Sequence, residues 1–272
     1  TSYRDLLVDD RIFDAQWVNP DWPADQRLHE YEAGIAGLNF NRNCLDWLPT
    51  LAQNGAVGID LSPKTSYVHI TIKATHGSAT RVSLLRPSTS NTFEMRGTVA
   101  RNPSDGADPY SAPIYDPGLW TGTILRDVLA SNGISGGGAG ADGAPGEIRR
   151  VGPTERVGPG ILVATYATPL LAVLKRANTD SVNMMAEGLC ERLGHDATGE
   201  PGSWKNGTAA VEAFAQSIGC APSWITLHDG SGLSSKDKVA PKAFTTVLAC
   251  MAARPDGDAF INTLARPGED GT

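Results

Sequence analysis

The sequence predicts a chain that combines a strand-rich stretch in its first half with helices in its second half. Within residues 55–101, the segments 67–72 and 92–99 alternate apolar and polar side chains, which indicates half-buried strands. From Asp116 onward the apolar residues recur at helical spacing. The chain has 272 residues, 40% of them hydrophobic. It can therefore bury a sizeable core and hold more than one domain.

The strands fall between residues 55 and 101. Val68, Ile70 and Ile72 alternate with more polar neighbours, and residues 92–99 repeat this pattern. A third short apolar run covers residues 81–85. Turn signals rich in Gly, Pro and Ser separate these runs at residues 76–78 and 86–88. We expect a small antiparallel sheet module.

A helix is predicted to follow this module. Asp116 is a favourable N-cap, Pro117 suits the first helical position, and the pair Asn132-Gly133 ends the helix. One apolar face is expected from five residues: Leu119, Ile124, Leu125, Val128 and Leu129.

The remainder of the chain is predicted to be mainly helical. Residues 135–143 form a Gly-rich loop that lacks the setting of a phosphate-binding loop. Four further helices are expected, which start after Thr168-Pro169, near Asn183, after the capping residue Ser203 and at Pro241. In the third of them, one face is expected from Val211, Phe214, Ala215 and Ile218.

Charge and composition exclude several classes of function. The net charge of -7 and the pI near 5.2 argue against a nucleic-acid partner. No apolar run approaches the length needed for a transmembrane segment. The four cysteines (Cys44, Cys190, Cys220 and Cys250) have no zinc-like spacing, so no metal or cofactor is expected. The sequence leaves undecided whether a Cys190–Cys220 or a Cys220–Cys250 disulfide forms.

Two segments contain residues suited to chemistry. Ser181 and Asn183 lie two apart at a predicted helix junction, where both side chains can enter one cleft. Such a Ser can relay a proton, and such an Asn amide can both donate to and accept from a peptide bond. The alternative is that Ser181 only caps the next helix. The second segment, DGSGLS at residues 229–234, is a tight turn in which Asp229 would bond backbone amides.

The wider sequence around these segments resembles a known family. The segments LKRANTDSVNMMAEGLCERLG, GSWKNGTAAVEAFAQSIG, LHDGSGLSSKDKVAPKAF and GDAFINTLARPGEDGT follow one another in the family's order. Upstream, VDDRIFD, AGLNFNRN and DPGLWTGTILRDVLASNGI extend the similarity over most of the chain. The chain resembles the low-molecular-mass, class C penicillin-binding proteins, which are D-alanyl-D-alanine carboxypeptidases and endopeptidases.

This resemblance implies an α/β fold of the penicilloyl-serine transferase (β-lactamase and DD-peptidase-like) type, here partial and mainly helical, with an inserted small antiparallel β module. The implied segments are 1–50, an extended lead into inserted domains; 51–115, the inserted β-rich module; 116–160, a return helix and Gly-rich loop; and 161–272, the helical part of the catalytic domain.

The family catalyses its reaction with three motifs, S-x-x-K, S-x-N and K-[T/S]-G. Only S-x-N maps onto this chain, at Ser181 and Asn183. The other two motifs are expected before residue 1 and beyond Thr272, so this chain alone is expected to be inactive. Local matches at residues 235–238, 64–66 and 76–78 lie in loops or turns of the predicted elements and are read as structural.

The resemblance also implies binding residues. Ser231, Gly232 and Leu233 are candidate substrate contacts because the family's loop borders the cleft, and a purely structural turn is the alternative. Three residues fall where some relatives place a side-chain pocket, with packing as their alternative: Trp22, Asp25 and Tyr31.

The function implied by the resemblance is that of a serine-type peptidase of the bacterial cell envelope. Its substrates would be peptidoglycan stem peptides ending in D-Ala-D-Ala, and β-lactams would be covalent inhibitors. Ser181 would be the proton relay and Asn183 the substrate anchor. The alternative is a non-catalytic protein that binds peptidoglycan or a partner on the same fold. An esterase or β-lactamase is a third alternative, which the DGSGLS segment disfavours.

Overall fold

The computed structural model describes residues 2–86, 89–101, 108–136 and 147–271. The chain divides into two compact units. The first is Thr1–Asp9, Ala24–Gly34 and Leu38–Arg150, and the second is Asp10–Pro23, Ile35–Gly37 and Val151–Thr272. The segment boundaries predicted at residues 50, 115 and 160 stay a prediction beside this division.

The first unit contains short strands and one long helix among its described residues. Its strands are β1 (Ser2–Tyr3), β2 (Leu6–Val8), β3 (Cys44–Leu51), β4 (Val57–Ser62), β5 (His69–Ile72), β6 (Thr75–His76), β7 (Arg81–Leu85), β8 (Thr92–Val99), β9 (Tyr110–Pro113), β10 (Ser135–Gly136) and β11 (Ile148–Arg150). Its helix is α1 (Pro117–Ser131).

Two sheets dominate this unit. The central strand of the first is β3, which pairs antiparallel with β4 and β9. The second forms around β8, which pairs antiparallel with β7 but parallel with β5 and β6. The antiparallel module is therefore present, but the sheet around β8 is mixed, a pairing that the period-two pattern cannot reveal. The outer strands β1 and β2 pair parallel with β10 and β11.

Helix α1 packs on these sheets through Trp120. The predicted N-cap is confirmed: Asp116 accepts the backbone N–H of Leu119, and the helix ends before Asn132. The predicted apolar face is partly wrong, since Leu125 and Val128 are about half exposed. Trp120 is fully buried, and the buried face of α1 is formed by Trp120, Thr123 and Ile124.

The core of the first unit combines large side chains from both sheets and α1. Its fully or almost fully buried members include Leu45, Trp47, Phe93, Met95, Val99 and Trp120. Three of these, Phe93, Met95 and Val99, lie on β8, which the alternation predicted. Strand β3 was not predicted, because its sequence CLDWLPTL contains a Pro and does not alternate clearly.

The second unit is helical, as predicted. Its helices are α2 (Leu170–Thr179), α3 (Asn183–Thr198), α4 (Trp204–Ser217), α5 (Pro241–Ala252) and α6 (Gly257–Ile261), with the short strands β12 (Ile225–Thr226) and β13 (Lys238–Val239) paired between α4 and α5. The four predicted helix starts are confirmed.

Ser203 caps α4 as expected, by accepting the backbone N–H of Asn206. The predicted face of α4 buries Ala215 but leaves Phe214 41% exposed. All four cysteines are free thiols. The turn expected at residues 86–88 and the loop expected at 135–143 lie largely outside the described residues.

An early segment of the chain completes the second unit. Phe13, Trp22 and Ile35 pack with Trp204 of α4 in a buried cluster. The rings of Trp22 and Trp204 meet edge to face, with centroids 5.7 Å apart and planes at 71°, the arrangement that aromatic pairs prefer. The described part of the chain has no helix with the length and apolar content to cross a bilayer.

Candidate active site

The predicted Ser-x-Asn pair lies at the junction of α2 and α3. Ser181 is exposed and has a φ of 55°, the left-handed conformation that ends many helices and that usually requires glycine. The backbone N–H groups of Asp180 and Val182 donate to Arg176, closing the end of α2 around Ser181. A serine held in this conformation stores strain of about 1–2 kcal/mol, which is typical of functional sites.

Ser181 does not cap the following helix. The residue at the N-cap position of α3 is Val182, and no side-chain capping bond is made there. Asn183 is the first residue of α3 and is half-buried. The capping alternative for Ser181 is therefore excluded, while its predicted role as a proton relay stays a prediction.

One turn further along α3 lies the fully buried carboxylate of Glu187. Three N–H groups donate to it: the Trp204 indole at 2.7 Å, the Gly230 backbone at 2.8 Å and the Ser231 backbone at 2.9 Å. Burial, and then the charge of Asp229, raise the pKa of Glu187, and hydrogen bonds from Ser231, Gly230 and Trp204 oppose the rise. Glu187 thus ties α3 to α4 and to the DGSGLS loop.

A second buried carboxylate holds the other side of this loop. Asp229 accepts the backbone N–H groups of Gly232 at 2.7 Å and Ser234 at 2.6 Å, and the indole N–H of Trp22 at 2.9 Å. The structural bonding expected of Asp229 is therefore present. The two carboxylates and the two packed indoles of Trp22 and Trp204 fix the loop from both ends.

Two glycines of this loop are required for different reasons, a close approach to α3 and a left-handed backbone conformation. A Cβ on Gly230 would lie 2.6 Å from the Cβ of Cys190 and 2.9 Å from the carbonyl oxygen of Ala186, so only glycine lets the loop approach α3 this closely. Gly232 has a φ of 80°, a conformation that glycine adopts without strain.

Charged side chains continue beyond the loop. The backbone N–H of His228 donates to Asp237 at 2.6 Å, and the His228 ring bonds Asp21 at 3.0 Å. Asp21 also pairs with Lys236, whose hydrogen bond is the main cause of its lowered pKa. Burial, opposed by the His228 bond and helped by the charge of Asp229, raises the pKa of Asp237 to about 6.

Another buried acid, Glu191, lies one turn after Glu187 on α3. Its Oε1 is buried and accepts no hydrogen bond from the described residues. Burial, followed by the charges of Asp14 and Glu187, raises the pKa of Glu191 to about 9. Glu191 is therefore neutral at physiological pH, and it is not a donor or acceptor to the DGSGLS loop.

A pocket of about 560 Å³ borders the loop. Its walls are mostly apolar side chains of α2, α3 and α5, among them Leu174, Leu189 and Phe244. Ser231 and Gly232 line it, whereas Ser181 and Asn183 do not. Apolar walls suit packing better than recognition of a peptide carboxylate, so we do not assign the substrate to this pocket.

The remaining predicted residues are distributed over both units. Trp22 is only 3% exposed, and Leu233 is half-buried against the same aromatic cluster, so both contribute packing to the second unit. Asp25 lies exposed in a turn of the first unit. Tyr31, also in the first unit, stacks on His29 with centroids 5.0 Å apart and donates to Gln26.

Sequence reasoning missed Glu187 and Trp204, although the signals were present. Glu187 follows Asn183 by four residues and therefore shares its face of α3, among apolar neighbours. A carboxylate in such a setting requires buried donors. The local matches at residues 235–238 and 64–66 lie in loops or at a strand start, as predicted. The described residues contain no cluster of three or more side chains able to hold a metal ion.

Residues 3–272 match the D-Ala-D-Ala carboxypeptidase 3 (S13) family. The chain belongs to this family. The predicted family resemblance is thereby confirmed.

Two curated relatives agree with this assignment. The D-alanyl-D-alanine carboxypeptidase of Actinomadura sp. (strain R39) is 26% identical over 278 residues, which cover 97% of this chain and 49% of that protein. The D-alanyl-D-alanine carboxypeptidase DacB of Haemophilus influenzae is 33% identical over 112 residues, 41% of this chain and 23% of that protein. This S13 chain spans about half the length of the first of these relatives.

Solved structures confirm the α/β fold. Penicillin binding protein 4 (dacB) from Haemophilus influenzae matches with a TM-score of 0.77 at 22% identity, covering 98% of this chain and 58% of that chain. The same protein complexed with a novel β-lactam matches with a TM-score of 0.62 at 24% identity, over 87% and 53% of the two chains.

Proposed function

We propose that a protein containing this chain is a serine-type D-alanyl-D-alanine carboxypeptidase or endopeptidase of the cell envelope. Its substrates are peptidoglycan stem peptides, and β-lactams acylate it. The observation that carries the proposal is the exposed Ser181, strained into a left-handed conformation directly before Asn183. Membership of the S13 family and the β-lactam complex of the similar penicillin binding protein 4 support it.

The proposed reaction passes through an acyl-enzyme. A serine outside residues 1–272 attacks the carbonyl of the penultimate D-Ala, an ester forms, and the bond to the terminal D-Ala nitrogen breaks. The attacking serine gives up its hydroxyl proton, Ser181 relays a proton through its own hydroxyl to the leaving amine, and the Asn183 amide holds the peptide bond. Water then hydrolyses the ester and restores the serine.

The loop residues have a supporting role in this proposal. Ser231 and Gly232 are half-buried to exposed beside α3, and they are the candidate contacts that the two carboxylates hold in place. Leu233 and Trp22 act through packing. Asp25 and Tyr31 of the first unit stay candidates for contacts to the side chains of the stem peptide.

Labelling with a fluorescent penicillin tests the proposal. We expect Ser181→Ala to slow covalent labelling of the full-length protein by about 10²–10⁴-fold, the usual contribution of a proton-transfer group. Ser223→Ala, at an exposed serine in a turn after α4, is the matched control and leaves the rate unchanged. Absence of labelling in the unaltered protein would favour a non-catalytic protein that binds peptidoglycan or a partner.

A further inference from the structure

Glu187 connects the two segments of the site that the family resemblance singles out. It lies four residues after Asn183 on α3, so both side chains project from the same face one turn apart. Its two oxygens accept the backbone N–H groups of Gly230 and Ser231. The distance between Asn183 and the loop is therefore set by one helical turn and one carboxylate.

The bonding of this carboxylate leaves little freedom. Oε2 accepts from both the Trp204 indole and the Gly230 backbone N–H, and Oε1 accepts from the Ser231 backbone N–H, so both oxygens act as acceptors. A glutamine of the same volume would direct its own NH₂ group at one of these donors. One N–H would then lose its acceptor in a buried site, and the loop would shift to relieve it.

We propose that Glu187 is a positioning residue of the acylation site. It touches no substrate, and it acts by holding Gly230 and Ser231 at the distance from Asn183 that the acylated complex requires. This inference rests on the proposed function. It goes further because it assigns a positioning role to a buried residue that is not part of the S-x-x-K, S-x-N or K-[T/S]-G motif.

Helix α3 itself offers a matched control. Glu191 is equally buried and lies one turn later, but it makes no bond to the loop. Glu187→Gln and Glu191→Gln therefore make the same change, from a buried carboxyl group to an amide, on the same helix. Only the first should affect the loop, because only Glu187 contacts it.

The test measures acylation of the full-length protein by a β-lactam, separating the binding constant from the first-order acylation rate. We expect Glu187→Gln to lower the acylation rate by about 10- to 100-fold, as misplaced catalytic groups do, while Glu191→Gln stays within about threefold of the unaltered protein. An unchanged rate in Glu187→Gln, or an equal loss in both variants, would overturn the inference. No acylation of the unaltered protein would instead overturn the proposed function.

Amide hydrogen exchange gives a readout that does not depend on activity. In Glu187→Gln, we expect faster exchange at Gly230 and Ser231, whose acceptor is disturbed, but not at Gly232 and Ser234, which Asp229 holds. Uniformly faster exchange over all four amides would indicate general destabilisation, and unchanged exchange would show that Glu187 does not position the loop. Either result contradicts the inference.

Discussion

Trp22 donates its indole N–H to the buried carboxylate of Asp229 over 2.9 Å, across 207 residues of sequence. Asp229 meanwhile holds the amides of Gly232 and Ser234. The early segment of the chain is thereby part of the support for the DGSGLS loop. The second unit depends on this long-range bond as well as on its helices.

Trp22→Phe is expected to destabilise the chain. Phenylalanine keeps most of the aromatic packing but leaves a buried Asp229 oxygen without one of its donors, a loss of about 1–3 kcal/mol in the free energy of unfolding. Urea unfolding followed by circular dichroism measures it. Trp224→Phe is the control, since that half-exposed ring contacts Lys242 through its face and should change stability little. Equal losses in the two variants would contradict the role of the indole bond.

Gly230→Ala is expected to displace the loop from α3. The added Cβ would lie 2.6 Å from the Cβ of Cys190, and overpacking of this kind costs about 1–3 kcal/mol. Gly158→Ala is the matched substitution at a site with no atom within 4 Å, and it should be neutral. A thermal midpoint for Gly230→Ala equal to that of Gly158→Ala would show that the close approach is not tight.

Glu191→Gln is expected to change how stability depends on pH. Burial raises the pKa of Glu191 from its ordinary value of 4.5 to about 9, so the folded chain holds this proton up to about pH 9. Because the unfolded chain loses this proton first, Glu191 lowers the stability of the folded state progressively as pH rises through that window. Glutamine removes this penalty.

The stability difference between Glu191→Gln and the unaltered chain should therefore grow in favour of the variant between about pH 5 and pH 9. Urea unfolding at several pH values gives this difference. A flat difference for Glu191→Gln would contradict the neutral state assigned to Glu191.

Ser181→Gly is expected to separate stability from activity. Glycine relieves the left-handed strain of about 1–2 kcal/mol and loses about 0.5–1 kcal/mol through backbone entropy, so the folded chain should gain up to about 1.5 kcal/mol. The lost hydroxyl should still slow acylation as much as in Ser181→Ala. If Ser181→Gly is less stable than Ser181→Ala, the strained backbone does not belong to the folded state.

Local rules predicted much of the fold from sequence. Asp116 and Ser203 cap their helices, and α3 begins at Asn183, because capping and helical spacing depend on neighbours within a few residues. Strand β3 and the parallel pairing of β5 with β8 were not predictable in this way. Strand partners are chosen by contacts distant in sequence, which alternation alone does not encode.

The site follows the same division. The Ser-x-Asn spacing identified the junction of α2 and α3. The hydrogen bonds that Glu187 accepts from the loop and from α4 were not foreseen, because Glu187 meets Gly230 across 43 residues and Trp204 across 17. Trp22 was predicted as a substrate contact from its position in the family pattern. Its burial and its bond to Asp229 favour the packing alternative, and a contact with substrate stays a prediction.

The proposed peptidase activity can be measured directly as release of D-alanine. The full-length protein is incubated with a stem peptide ending in D-Ala-D-Ala, beside the same peptide ending in L-Ala-L-Ala. We expect release of one D-alanine per peptide from the first substrate only, stopped by prior exposure to penicillin and strongly slowed in Ser181→Ala. No release from the D-Ala-D-Ala peptide, or equal release from both peptides, would contradict the proposed activity.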